Sequence, residues 1–295
     1  AILTEGSELA RGAVALAERL QRVLRTPVMV GRNEIAASAS IGITFSGLGY
    51  TRPDQVLRDA DIAMYKAKER GKAQYALFDA SLRAQATARL TLESDLRRAI
   101  DFGRIVLDYQ PLYELQSGRL VAFEALARWS HPDRGVVPPS VFIPIAVEAG
   151  LIGTLTQQLL DRACTQLAAW HAAHPAAAGL RMHVNISGAD LCTQGFAERT
   201  ARTVLSCGLQ PEHLVLEVGE SLLMERLDAA LATLEELSRL GIGVSVDDFG
   251  TGYSSLAYLA ALPIASLKID RSFVGRLQAG ADSAEVVRAV ITLGT

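Results

Sequence analysis

From Gly103 onward the chain repeats one pattern: a short β-rich apolar run, then an amphipathic helical stretch, then another apolar run. The runs are "RIVLDYQPLYEL", "RLVAFEALARW", "LRMHVNIS", "HLVLEVGES", "IGVSVDDFG" and "IASLKIDRSFV". The first two are separated only by a Ser117-Gly118 turn and read as hairpin neighbours. After them come a helix from about Leu151 to Ala173, another before "HLVLEVGES", one through "ALATLEELSRL" and a short one at "SSLAYLAAL". Near-continuous apolar strands separated by helices predict a mainly parallel sheet with helices on its faces.

The first eighty residues follow another plan. Leu9, Ala13, Leu16, Ala17, Leu20 and Leu24 recur at helical spacing, so residues 7 to 25 read as a helix stopped before Pro27. "PVMV" and "NEIAASASIGITF", joined by Gly31-Arg32-Asn33, read as a hairpin. "RPDQVLRDADIAMYKAKERGK" reads as a second helix with Gly71 at its C-terminal end. Residues 79 to 99 contain neither Pro nor Gly and read as a connecting helix, which divides the chain into domains at 1–78 and 100–295.

With 295 residues, 49% of them hydrophobic and 21% charged, the chain has the composition of a soluble globular protein of one large or two ordinary domains. The formal net charge of -3 excludes the basic field that bulk nucleic-acid binding needs, yet allows a small anionic ligand in a pocket. Cys164, Cys192 and Cys207 are widely spaced and contain no CxxC, which points to buried or half-buried thiols in a reducing compartment. No apolar run approaches eighteen residues and no signal peptide opens the chain. A cytoplasmic location is expected, with room for a membrane anchor upstream.

Polar groups recur at the ends of the strands: Glu124, Asn185, Glu217, Asp247 with Asp248, and Lys268. In a closed β/α barrel the carboxyl ends of the strands share one mouth, where polar residues read as chemistry. Each one alone is equally a satisfied strand end, but several carboxylates at one mouth repel unless cations hold them. The set is all oxygen, and hard donors suit Mg2+, Mn2+ or Ca2+. His183, two residues before Asn185, shares its face. Two such ions are an apparatus for phosphodiester hydrolysis. Lys268 would then steady the anionic transition state or the attacking water, and Arg128 suits a ligand phosphate. "DDFGTGYSSL" lacks the ending of a P-loop and reads as a mobile loop after the acids.

These segments together resemble the EAL-domain family, the phosphodiesterases that hydrolyse cyclic di-GMP. The resemblance is carried by "YQPL", "FEALARW", "HVNIS", "LVLEVGES", "VDDFGTGYSSLAYL" and "LPIASLKIDRSFV", over about residues 90 to 295. It implies a (β/α)8-like, TIM-type barrel, with two divalent cations, Mg2+ or Mn2+, that cuts cyclic di-GMP to linear pGpG. By position, Glu124, Asn185, Glu217 and Asp247 resemble ligands of one metal, with Asp247 shared and Asp248 on the second. Lys268 resembles the catalytic lysine and Glu220 the glutamate that orients the loop after the aspartates. Gln110, Leu126 and Arg128 resemble ligand-contacting residues. Gly219 stands where the family usually has threonine. The chain ends at "AVITLGT", before the two further strands the family expects, so a truncated barrel is expected.

Residues 1 to 78 resemble the C-terminal half of an α+β GGDEF domain, through "ASIGIT" and "DADIAMYKAKERGK", with Lys68 and Lys72 similar to phosphate-contacting residues. The resemblance implies a regulatory or structural GGDEF part, an upstream sensor domain and a homodimer formed through the EAL part. It leaves open an inactive cyclic di-GMP receptor and a bifunctional cyclase and phosphodiesterase; the intact catalytic positions favour the enzyme.

Overall fold

A computed structural model describes residues 7–31, 33–35, 37–220, 223, 227–250 and 262–275. The chain divides into two compact units, Ala1–Ser94 and Asp95–Thr295, and helix α3 (Ala80–Asp101) runs through the division without a break.

In the first unit, α1 (Ser7–Leu24) buries Ala13 and Ala17 against Ile43. Strands β1 (Val28–Val30) and β2 (Asn33–Ile35) form the expected antiparallel hairpin. The run "NEIAASASIGITF" is not one strand, however. It breaks after Ile35, and β3 (Ile41–Ile43) belongs to a separate sheet, parallel to β4 (Tyr75–Leu77). Small residues at 37–40 offer little side-chain surface to hold a strand there. Helix α2 (Pro53–Glu69) joins β3 to β4 as a β-α-β crossover, opening on a proline and followed by Gly71 at φ +109°. Gly42 must be glycine, because a Cβ there would collide with the backbone of Ala60 and Met64 on α2.

Asp59 on α2 is fully buried and holds this unit together. It accepts from the Tyr50 hydroxyl at 2.9 Å, from Arg58 Nε at 3.3 Å and from Arg83, whose guanidinium pairs with it. Burial alone would raise the carboxyl, but Arg83, Tyr50 and Arg58 outweigh it and hold Asp59 below the usual carboxylate range. The stabilisation is therefore complete above the unfolded-state value near pH ~4 and is lost as pH falls through the depressed folded value. Asp59→Asn should cost about 2 kcal/mol at neutral pH, discounted for the half-exposed arginines. Urea melts of both proteins should converge as pH drops from 6 to 3; parallel curves would mean the carboxylate contributes nothing.

The second unit is built on a seven-stranded sheet among the described residues. Strand β5 (Ile105–Tyr113) pairs antiparallel with β6 (Leu120–His131), with Gly118 at φ +68° in the turn. The sheet then continues in parallel through β8 (Arg181–Asn185), β9 (Leu214–Gly219), β10 (Gly243–Phe249) and β11 (Ser266–Ile269). Helices α5 (Ile152–Ala173), α7 (Phe196–Ser206) and α8 (Leu227–Arg239) fill the crossovers. Leu160, Leu167, Met182, Leu216, Leu234 and Val246 are buried together where helices and strands meet.

Several details differ from the sequence reading. A short strand β7 (Gly135–Val137) pairs back on β6, and α4 (Pro139–Glu148) follows it, within the proline-rich stretch left unassigned. Pro138 and Pro139 at its start cost no hydrogen bond, whereas Pro144 lies inside the helix and withholds one backbone donor there. The crossover after β8 holds two helices, α6 (Gly188–Leu191) and α7, rather than one. "RSFV" is not the end of a strand but the helix α9 (Arg271–Gly275). The segments "TGYSSLAYL" and "AVITLGT", expected to form a loop with a short helix and the end of a truncated barrel, lie outside the described residues. Cys164 is buried and Cys192 and Cys207 are half-buried, all three free, and burial pushes the Cys164 thiol up to about 12. Among the described residues, no helix is long and apolar enough to cross a membrane.

Candidate metal centre

Strands β6, β9 and β10 each bring one carboxylate to the same point. Oxygens of Glu124, Glu217 and Asp247 all lie within 4.8 Å of one another. Three like charges so close would repel, and the chain answers with Lys268 from β11. Its Nζ lies 2.8 Å from Glu124 Oε2, 2.7 Å from Glu217 Oε2 and 3.7 Å from Asp247 Oδ2. Burial of the ammonium pulls its pKa down, but Glu217 and Glu124 outweigh that and hold Lys268 above the ordinary lysine range. Burial likewise works against Glu124, yet Lys268 and Asn185 hold its carboxyl low.

Glu124 does not end its strand. It is the fifth residue of twelve in β6, which continues to His131. What ends beside it is the parallel partner: β8 pairs with β6 only up to Ala125↔Val184, after which β6 runs on between β5 and β7. Asn185 closes β8, Glu217 and Asp247 each stand two residues before the last of β9 and β10, and Glu124 lies mid-strand in β6.

Asn185 Nδ2 donates to Glu124 Oε1 at 2.9 Å, which leaves the carbonyl Oδ1 for another partner. His183 Nδ1 sits 2.8 Å from Glu217 Oε1, so His183 and Asn185 do share the site-facing side of β8. The aspartate pair departs from regular strand geometry. Asp248 has φ +54°, and the register between β10 and β11 slips between Val246 and Phe249. That bulge lets neighbouring aspartates line one cavity instead of opposite faces. The Asp248 amide donates to Asp247 Oδ1 at 2.9 Å. Burial, then Asp247 and Asp270, raise the Asp248 carboxyl.

Glu220 is buried, and its Oε2 accepts the Gly250 amide at 2.8 Å. Gly250, at φ +98°, has no room for a side chain: a Cβ would lie 2.9 Å from the Phe273 ring. Gln110 stands directly opposite Glu124 in the β5–β6 ladder and therefore on its face. Leu126 lines the cavity beside Glu124. Arg128, two residues further along that face, is tied through Nε to Asp108 Oδ2 at 2.8 Å. The cavity measures about 720 Å³, the size of a small-molecule site, and reaches from the acids to Ile143, Ile152 and Leu155 on α4 and α5.

One residue of the site's frame escaped the sequence reading. Asp190 is buried and its Oδ2 receives Thr156 Oγ1 at 2.9 Å, Ser187 Oγ at 2.8 Å and the Ser187 amide at 2.9 Å. It pins the turn that follows Asn185. The signal was the S-x-x-D spacing of Ser187 and Asp190, a capping box.

The donors fit a hard divalent cation. All are oxygens, they converge, and the position between them already carries a positive charge in the form of Lys268. Fold and site together define a barrel-type α/β domain with an acidic centre able to hold a metal at the mouth of its strands. Residues 93–295 match the EAL domain model and residues 1–74 the model of the diguanylate cyclase, GGDEF domain. The chain belongs to the EAL-domain family, in a tandem with a GGDEF-like part.

Over 295 residues, 99% of the chain, it is 41% identical to the bifunctional diguanylate cyclase/cyclic di-GMP phosphodiesterase MucR of Pseudomonas aeruginosa, and covers 42% of that protein. It is 34% identical over 279 residues, 94% of the chain, to the cyclic di-GMP phosphodiesterase NbdA of the same organism, and covers 35% of it. The chain thus spans less than half the length of these relatives. A solved structure of the PaMucR phosphodiesterase in complex with c-di-GMP aligns at TM-score 0.64 and 42% identity, over 69% of this chain and 82% of that one. The EAL domain of Mycobacterium smegmatis DcpA aligns at TM-score 0.52 and 33% identity, over 65% and 74%.

Proposed function

We propose that the EAL part hydrolyses cyclic di-GMP to linear pGpG at a centre holding two divalent cations, Mg2+ or Mn2+. The observation that carries this reading is the gathering of Glu124, Glu217 and Asp247 around one ammonium, with the Asn185 carbonyl turned free beside them. The similarity to MucR and NbdA supports the choice of substrate. Divalent cations held there would supply Lewis acidity, offsetting charge on the phosphoryl oxygens and lowering the pKa of water. Glu124, Asn185, Glu217 and Asp247 would hold one ion, and Asp247 with Asp248 the second.

The remaining residues have separate tasks. Lys268 steadies the attacking water and the negative charge that develops as one P–O3′ bond breaks. Water gives its hydroxyl to phosphorus and its proton to the ribose O3′. Glu220 fixes the backbone after the aspartates through Gly250. Gln110, Leu126 and Arg128 contact the dinucleotide, Arg128 through its planar fork. Residues 1–78 act as a regulatory or structural GGDEF part, 79–99 connect it, and 100–295 form the catalytic part. A sensor domain upstream and a second copy of the chain complete the assembly.

The test is turnover of cyclic di-GMP by the full-length gene product with and without Mg2+ or Mn2+, read by chromatography. Metal-dependent pGpG is expected. Tight binding with no pGpG would make the protein a receptor, and neither binding nor turnover would overturn the reading.

A further inference from the structure

Strand β8 stands between the two strands that carry Glu124 and Glu217, and its polar residues do not bond straight across. In register, His183 lies opposite Glu124 and Asn185 opposite Glu217. The hydrogen bonds run diagonally instead: Asn185 reaches Glu124 Oε1 at 2.9 Å, and His183 reaches Glu217 Oε1 at 2.8 Å. One strand therefore braces a carboxylate on each of its neighbours.

We infer that His183 is a positioning residue that clamps Glu217 Oε1, leaves Oε2 facing the cation position, and so sets the metal affinity of the site without touching metal or substrate. Glu217 has no solvent exposure and His183 only 8%, so water cannot easily replace the bond if it is removed. The two Glu217 oxygens are divided between distinct partners, Oε1 with His183 and Oε2 with Lys268 Nζ at 2.7 Å. A cation arriving at the cluster competes with Lys268 for Oε2, and the ring of His183 then holds Oε1 in place. The contact also fixes the histidine: an ionised carboxylate can only accept, so the proton sits on Nδ1. Donors behind a ligand of this kind orient it, and losing one weakens metal binding by roughly 10–100-fold.

The inference rests on the metal-centre reading, and the experiment separates the two. Mn2+ is titrated calorimetrically into metal-free wild type and into His183→Ala, His183→Gln and His183→Asn, with melting temperatures measured alongside. Asparagine can set its amide N–H near the place of Nδ1, whereas glutamine carries its donor further out. Alanine and glutamine should weaken Mn2+ binding by roughly 10–100-fold, and asparagine should recover most of it. The Mn2+ concentration for half-maximal turnover should shift in the same order, with kcat at saturating Mn2+ changed far less. If alanine folds and binds Mn2+ as wild type does, His183 has no such role and the metal centre stands. If alanine does not fold, asparagine and glutamine carry the comparison, and equal affinities would overturn the inference. Wild type that takes up no Mn2+ would overturn the metal-centre reading itself, and this inference with it.

Discussion

Glu124→Gln should lower pGpG formation by about 10³-fold at saturating Mn2+, which is ~4 kcal/mol of transition-state stabilisation. The substitution keeps size and shape but replaces one carboxylate oxygen with an amide nitrogen. Both oxygens are engaged: Oε1 accepts from Asn185 and Oε2 from Lys268. Whichever position the new NH2 takes, it meets another donor, so the amide must turn away from one partner. The centre also loses one negative charge of the set Glu124, Glu217 and Asp247. Lys268 keeps Glu217 as a counterion, so the fold should survive. Cyclic di-GMP binding measured by calorimetry should persist while turnover collapses. A variant within tenfold of wild type would remove Glu124 from the metal-holding set.

Lys268→Met should destabilise the metal-free protein by about 3–5 kcal/mol, roughly 6–20 °C in melting temperature. The ammonium is the cation that pairs with fully buried Glu217 in this cluster, and methionine leaves that carboxylate uncompensated. Mn2+ should then raise the melting temperature of the variant more than that of wild type, because binding stabilises the folded state and Lys268 no longer competes for the oxygens. The pH dependence has a defined sign. The raised folded pKa of Lys268 means its contribution is complete below the unfolded value of ~10.4 and lost as pH rises through the folded one. Metal-free wild type should show that alkaline loss, and the methionine variant should lack it. Equal melting temperatures without metal would show that water, not Lys268, balances the acids.

The polar residues of the site were legible in the sequence because each interrupts an apolar run and burial of a lone charge is costly. What the pattern misjudged was geometry. Glu124 reads as a strand end because it closes an apolar run, yet β6 goes on to His131, and no local signal in "FEALARW" marks where β8 leaves it. The two aspartates of "VDDFG" line one cavity through the left-handed backbone at Asp248, a local turn that period-2 alternation does not encode. Helix α4 has a weak signal: Pro138 and Pro139 stand at its start, where they interrupt nothing, but Pro144 falls inside it. His183 was placed on the right face by its spacing from Asn185, but its diagonal bond to Glu217 depends on the register of three strands. No single strand encodes that.

The bulge at Asp248 has an evolutionary side. A residue at φ +54° is restricted to few types, and aspartate, asparagine and glycine are the ones that adopt it at little cost. A lineage can therefore exchange Asp248 for asparagine in one step, losing a charge while the backbone keeps its path. Glu217 offers no such exit, because it is fully buried and its replacement takes a partner from both Lys268 and His183. Drift from enzyme towards pure sensor should begin at the bulge, where chemistry can be discarded and the fold inherited intact.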